Sequence, residues 1–304
     1  MAVPEPAPFV IGLFGPTASG KTAVAGEIPE RIPAEVVSAD SAAVYRGFSV
    51  LTAAPEYPAR LVGIFDVAEE VSVGEFQRRA HAAVDEILDA GRTAVVVGGT
   101  GLYFRAALSA LELPPPPAAG ARARWEDLYD ERGADAAHAL LAERDPDAAA
   151  RVHPNDRRRV VRALELADAG ASLAGDRLWE SDVRHPTVVF GLDVPEDVLE
   201  KRIRERAEEM LARGVVAEAR AALAGQLSTS ARKVMGLVDF AELRPEEAVE
   251  ALVRNNRRLA RYQRKWMRRI PDLISVDAHR PPGEVADEIV EMARARQRVR
   301  ARRA

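Results

Sequence analysis

Residues Phe9 to Thr22 read FVIGLFGPTASGKT, an apolar hexapeptide running into a glycine-bounded octet. The run Phe9-Val10-Ile11-Gly12-Leu13-Phe14 is too short for a core helix and ends in turn residues, so it predicts a buried parallel strand. The octet Gly15-Pro16-Thr17-Ala18-Ser19-Gly20-Lys21-Thr22 fits G-x-x-x-x-G-K-[ST]. It lies after a strand and before a helical segment, the context that gives this pattern its meaning. Its glycines let successive backbone N–H groups curl around phosphate oxygens at a helix N-terminus. Lys21 supplies a point charge to a terminal phosphate, and Thr22 can ligate Mg²⁺. A di- or triphosphate is implied. The loop does not say which one, nor that a phosphoryl group moves, so a kinase or NTPase is the default reading at this level.

Further along, Val36-Val37 and Thr93-Ala94-Val95-Val96-Val97 repeat the short apolar character, each ending in a polar or Gly-rich turn. Val73 to Ala90 carries a helical pattern closed by Gly91. Strand and helix in alternation predict a doubly wound parallel sheet, with binding loops at the carboxyl ends of its strands. Pro114–Pro117 interrupts the rhythm, Ala121 to about Leu173 reads as helix, and Thr187–Asp193 returns to strand. The expected fold is therefore α/β, a P-loop NTPase-like parallel sheet flanked by helices, with an inserted all-helical subdomain. The core covers 1–113 and 187–304, its C-terminal part mostly helical, and the insertion covers 114–186.

The chain has 304 residues, 47% apolar and 30% charged, which is the composition of a globular protein. Cysteine is absent, excluding disulfides and thiolate metal sites. MAVPEPAPFVIG has neither a basic start nor a long apolar stretch, and no run approaches a membrane span. A cytoplasmic monomer is expected. The net charge of −4 argues mildly against a nucleic-acid partner, but distribution matters more than the sum. Arg151 to Arg162, Arg254 to Arg269 and the tail from Arg294 are locally basic, while lysine occurs only at Lys21, Lys201, Lys233 and Lys265.

Two other positions stand at strand ends. Asp40 follows Val36-Val37-Ser38-Ala39 and could hold Mg²⁺, accept a proton or simply cap a turn. Thr100 lies in Val97-Gly98-Gly99-Thr100-Gly101-Leu102-Tyr103, where adjacent glycines let backbone approach a ligand; a helix N-cap explains it equally well.

In this order and spacing, GPTASGKT, ADSAAVYRG and VVVGGTGLY resemble the tRNA dimethylallyltransferase family. The likeness continues through His153 to Glu165, Gly214 to Arg220, Lys233 to Gly236, and Arg257 to Arg269 with Gln263 and Trp266. The resemblance implies that the phosphate loop, Gly15 with Thr17 to Thr22, holds dimethylallyl diphosphate with Mg²⁺. The acceptor would be the exocyclic amine of the adenosine 3′ of the anticodon, flipped out of its stack. Asp40 would engage that amine and take its proton, while Thr100 and Arg220 would stabilise the departing oxygen. Contacts to the tRNA anticodon stem-loop are implied at Asp40, Ser41, Ala42, Ala43, Arg158, Arg159, Arg162, Lys233, Gly236, Arg261, Gln263, Arg264, Trp266 and Arg268.

The chemistry makes sense of these residue types. Allylic C–O cleavage builds negative charge on the diphosphate, so cations and donors aimed at it supply most of the rate. An adenine amine is a weak nucleophile and needs positioning and a proton acceptor. Unstacking the base costs a few kcal/mol, which the pocket must offset.

Arg254, Arg257, Arg258, Arg261, Arg264 or Lys265, and Arg268 recur at helical steps and predict one basic face, with Leu252, Leu259, Tyr262 and Trp266 towards another. That face reads either as an RNA-backbone track or as a solvated helix paired with acidic neighbours. Adjacent Arg157, Arg158, Arg159 and Arg162 repel one another unless a polyanion faces them, which favours RNA there. The last arginines, Arg294 to Arg303, read as a frayed tail. Departures from the family pattern fall at Leu51, Ala54, Ala59, Leu237, Val238 and Tyr262. They bear on RNA affinity and substrate choice more than on reaction type. The competing readings are a small-metabolite or nucleoside kinase, a prenyl transfer to free adenine nucleotides, and a non-catalytic RNA-binding relative.

Overall fold

The computed structural model describes residues 8–113, 118, 120–173 and 182–301. It divides into two compact units, Met1–Ala110 with Ser181–Ala304, and Leu111–Glu180.

The first unit opens with β1 (Val10–Phe14), α1 (Lys21–Glu27), β2 (Ala34–Ser38), β3 (Ala59–Arg60), α2 (Val73–Asp89), β4 (Thr93–Gly98) and α3 (Gly101–Leu108). The second unit holds α4 (Ala121–Arg132), α5 (Ala134–Arg144), α6 (Pro146–Ala149) and α7 (Arg157–Asp168). The chain then returns to the first unit through β5 (Thr187–Asp193), α8 (Glu196–Ala212), α9 (Val215–Ala224), α10 (Thr229–Arg232) and α11 (Leu237–Glu242). It ends with α12 (Pro245–Met267), β6 (Ile274–Asp277) and α13 (Pro282–Ala301).

All strand pairs are parallel, in the order β3-β2-β4-β1-β5-β6. β1 is central, with Ile11 opposite both Val95 and Val188, so both its faces are covered and the run is apolar throughout. Ile11 and Leu13 join Val24, Ile28, Val36, Val95, Phe190, Val285 and Ile289 in one buried cluster. Phe14 faces away from them and meets Phe104 edge-on at 5.2 Å. Burying each such side chain stabilises the fold by roughly 1.5–3 kcal/mol. α2 starts at Ser72, whose side chain accepts the Glu75 N–H, and it buries Phe76, Ala80, Ala83, Val84 and Ile87. Gly91, at φ 75°, closes it as expected.

In the second unit the helices pack around Trp125, Leu141, Val160 and Leu164. Trp125 Nε1 donates to Asp168 at 3.0 Å, and the Arg124 and Arg144 guanidiniums lie 4.7 and 4.9 Å from its ring.

Three features depart from the sequence reading. β3 and β6 are short edge strands inside segments read as loop or helix. The basic tail read as frayed is instead the end of α13, and Gln297 there is buried. The basic segment read as a single face is α12, whose arginines serve two different surroundings. Pro114–Pro117 and Arg302 and Arg303 lie outside the described residues.

Candidate active site

The phosphate loop leaves β1 at its carboxyl end. Gly15 lies against Leu192 of the neighbouring strand, so close that a β-carbon on it would be 3.2 Å from the Leu192 carbonyl. Ala18 and Gly20 take φ of 62° and 90°, the curl that turns amides inward before α1 begins at Lys21 and Thr22. Lys21 Nζ donates to the Pro16 carbonyl at 2.6 Å, folding back over the loop. Ser19 Oγ is buried, with no hydrogen-bond partner among the described residues. A polar atom sealed off in this way is costly unless a ligand satisfies it.

β2 and β4 bring the other two loops alongside. Gly98 allows this approach, because a β-carbon there would fall 2.4 Å from the Ala39 carbonyl oxygen. Gly99 next to it has the Gly15 carbonyl oxygen and the Gln263 side chain where its β-carbon would be, at 3.0 and 2.5 Å. The glycine pair is thus a packing requirement between backbones, which the bare motif did not specify.

Asp40 Oδ1 accepts from the N–H groups of Ala42 and Ala43 at 2.8 and 3.3 Å, an Asx turn. One carboxylate oxygen serves that turn, and Oδ2 has no hydrogen-bond partner among the described residues. Thr100 occupies the N-cap position of α3, yet its side chain makes no capping bond. Its Oγ1 instead lies 3.3 Å from Ser41 Oγ. The two loops therefore present Asp40, Ser41 and Thr100 together.

A cation that the sequence reading did not name completes the cluster. Arg206 of α8 reaches the phosphate loop, with Nη1 3.4 Å from Thr17 Oγ1 and Nη2 donating to the Thr52 carbonyl at 3.1 Å. Its Nε is buried without a partner among the described residues. Desolvation lowers its pKa, opposed by the Asp40 charge. Desolvation also pulls Lys21 down to about 7, with Asp40 opposing and the Arg206 charge assisting. Two partly desolvated cations share one carboxylate, which leaves net positive potential where an anion would sit. Arg202, one turn earlier on α8, places Nη1 3.9 Å from where a Gly20 β-carbon would be. The local signal was present: Arg202 and Arg206 flank the buried stripe Leu199, Ile203, Ala207 and Met210.

Arg220 is the arginine that the resemblance places at the departing oxygen. It is exposed on α9, and its Nε donates to the Ala241 carbonyl at 3.2 Å. On the same helix Glu218 receives the N–H groups of Val50 and Leu51 at 3.0 and 2.7 Å. α9 thus braces the loop that carries Thr52, the Arg206 acceptor. The departures Leu51 and Leu237 are both buried. Gly236, the α11 N-cap, packs between Leu252 and Leu51, while Lys233 is exposed at the end of α10.

The basic residues sort by face. On α12, Arg257 and Arg261 pair with Glu200 and Glu196 of α8 at 3.1 and 3.7 Å. Arg264 bonds the Val194 carbonyl and pairs with Asp193 at 3.7 Å. Arg258, Lys265 and Arg268 are exposed, with no ion pair among the described residues. Tyr262 lies on that outward side, 57% exposed, correcting its expected place near the apolar face. Trp266 is half-buried over Gly101, where a β-carbon would be 1.9 Å from its ring. In the second unit, Arg157 pairs with Asp130 and Glu126, and Arg162 with the buried Glu165 at 3.0 Å. Arg158 and Arg159 point to solvent. Acidic neighbours, not only a polyanion, relieve the repulsion in that cluster.

Among the described residues no three His, Cys, Asp or Glu side chains gather as a metal cage. No helix there is long and apolar enough to cross a membrane.

A phosphate loop at the carboxyl edge of a parallel sheet, faced by cations and one carboxylate, defines a P-loop-type protein with an anion-binding geometry at that edge. Comparison with known proteins gives the family. The model of the IPP transferase family matches residues 43–270, and the chain belongs to that family. It is 38% identical to a tRNA dimethylallyltransferase of Salinispora arenicola over 92% of this chain and 85% of that one. The crystal structure of a tRNA isopentenylpyrophosphate transferase from Bacillus halodurans is similar with a TM-score of 0.68 at 30% identity, covering 97% of this chain and 99% of that one. A eukaryotic dimethylallyltransferase acting on tRNA shares the fold, with a TM-score of 0.73 at 23% identity over 88% of this chain and 73% of the other.

Proposed function

We propose that this chain transfers a dimethylallyl group from dimethylallyl diphosphate to the N6 amine of the adenosine 3′ of the anticodon in tRNA, releasing diphosphate. Family membership supports the reaction class and sets the kinase reading aside. The observation that carries the residue roles is the convergence of Lys21 and Arg206 on the phosphate loop beside Asp40, Ser41 and Thr100.

Loop amides of Ala18 and of Gly20 to Thr22, the Ser19 hydroxyl and the two cations bind the diphosphate, while the Thr17 N–H is held by Gln263. The bond from the allylic carbon to the diphosphate oxygen breaks, and its electron pair leaves with the diphosphate. The charge that develops there is met by Arg206, Lys21 and the Thr100 hydroxyl, groups already oriented before reaction. The N6–C bond forms, and the amine proton passes to the Asp40 carboxylate. The Asx turn holds that carboxylate still, leaving Oδ2 for the amine. The site fits a magnesium ion carried chiefly by the diphosphate: the Thr22 hydroxyl and one carboxylate are present, without a dedicated cage. Such an ion would neutralise charge on the leaving group.

The exposed cations Arg258 and Lys265 on α12 and Arg268 at its end, and separately Arg158 and Arg159 on α7, are the groups for the RNA backbone. The testing experiment supplies labelled dimethylallyl diphosphate with an anticodon stem-loop, with AMP, or with ATP alone. Label should enter the RNA, and the transfer should be lost with Asp40→Ala. Label in AMP only, or ATP consumption without prenyl transfer, rejects the proposal.

A further inference from the structure

We infer that Gln263 is a positioning residue for the prenyl donor, acting through backbone and not through RNA. The inference rests on the transfer reading above. Family resemblance alone implies an RNA contact at this position. The geometry argues otherwise, because Gln263 is only 6% exposed and both ends of its amide are engaged inside the protein. Its Oε1 accepts the Thr17 N–H at 2.7 Å, and its Nε2 donates to the Gly99 carbonyl at 3.0 Å.

Those two partners lie 246 and 164 residues away in sequence. One belongs to the loop that binds the diphosphate, the other precedes Thr100. A single planar amide thus sets the separation of the donor loop and the loop bearing Thr100. Removing it would leave an N–H and a carbonyl unpaired in a closed space, a costly condition that the loops would relieve by shifting. Such a shift moves the Thr17 hydroxyl, which meets Arg206, relative to the Thr100 hydroxyl. Misplacement of this kind costs turnover even though Gln263 touches neither substrate. Tyr262 and Lys265 flank it in sequence yet face solvent, so RNA can engage α12 without reaching Gln263.

The test compares Gln263→Leu and Gln263→Glu with the parent protein. Donor KM and kcat are measured at saturating anticodon stem-loop, with RNA Kd from filter binding, donor Kd from calorimetry without RNA, and Tm. Gln263→Leu should raise donor KM or lower kcat, together by on the order of tenfold or more. RNA Kd should stay within about twofold. With Gln263→Glu, the neutral carboxyl can accept from Thr17 and donate to Gly99 as the amide does. The ionised carboxyl can do only the first, and it repels diphosphate. The ratio of variant to parent donor KM should therefore be near one at low pH and rise with pH.

A purely structural role would lower Tm and leave that ratio flat. Unchanged donor kinetics in Gln263→Leu, or a loss confined to RNA affinity, overturns the inference. Parent protein that binds donor yet transfers nothing sinks the function instead, and the positioning role is then judged on donor Kd.

Discussion

The Ser41 and Thr100 hydroxyls lie 3.3 Å apart across 59 residues of chain, joining the loop after β2 to the loop after β4. Their contact fixes which way the Thr100 hydroxyl points at a helix start where it makes no capping bond. Thr100→Val keeps the shape and deletes the donor, so turnover should drop by roughly 10–10³-fold. RNA affinity should be retained, and Thr100→Ser should recover most of the activity. Single-turnover prenyl transfer measures this, and full activity of Thr100→Val would remove Thr100 from the leaving-group role.

Arg206 and Arg220 make opposite predictions. Arg206→Ala removes a charge beside the phosphate loop and should lower kcat by roughly 10²–10³-fold. Arg220→Ala loses one exposed contact to the Ala241 carbonyl and should leave kcat within about threefold. Steady-state kinetics on both variants decide which arginine serves the leaving group.

Lys21 sets a pH dependence. Desolvation first, then the Arg206 charge, depress its pKa to about 7, against the pull of Asp40. The unfolded chain keeps this proton until the ordinary lysine value of 10.5, so between those limits the unfolded state binds more protons. The destabilising effect of the buried ammonium is therefore fully present below pH 7 and is relieved as pH rises. Donor binding has the opposite trend, since an ammonium is what attracts diphosphate. Above pH 7, binding dimethylallyl diphosphate should take up close to one proton. Calorimetry at pH 8 in buffers of different ionisation enthalpy measures that uptake, and Lys21→Met should abolish it.

The two faces of α12 separate RNA binding from stability. Arg258→Ala and Lys265→Ala should weaken stem-loop binding and each reduce the salt slope by about one. Tyr262→Ala should cost about 1–3 kcal/mol of RNA affinity if a loop base stacks on its exposed ring. Arg257→Ala, which loses its Glu200 partner, should change Tm more than the salt slope. Salt titrations of Kd beside thermal melts measure both, and identical slopes for Arg257→Ala and Arg258→Ala would dissolve the distinction.

Glu165 carries a prediction for the second unit. Its carboxylate is fully buried between Arg122 and Arg162. Arg162→Ala should destabilise this unit by about 1–3 kcal/mol. Arg159→Ala, at an exposed position, should lower RNA affinity with Tm nearly unchanged. Melting curves and stem-loop Kd for the two variants give the comparison.

Local sequence carried the central strands and the donor loop. Runs such as Val10–Phe14 and Thr93–Gly98 are buried on both faces, so their apolar character is continuous and unmistakable. The octet from Gly15 to Thr22 was legible because its glycine and lysine spacing lies within one short stretch of chain. Two-residue β3 and four-residue β6 lack enough side chains to show a period, and they are strands only because β2 and β5 pair with them. α12 showed helical spacing of its arginines, but the acidic partners that neutralise one side lie on α8, more than fifty residues earlier.

What the sequence determined by itself was a parallel α/β core, a phosphate-binding loop and, through motif order, the family. Those depend on short-range pattern and on residues adjacent in the chain. Tertiary structure alone decided that Arg206 meets the phosphate loop, and that Thr100 turns to Ser41 in place of capping its helix. It also decided that Gln263 ties Thr17 to Gly99. Each of these is a contact between segments distant in sequence, set by how helices pack on a sheet, and no local spacing encodes it.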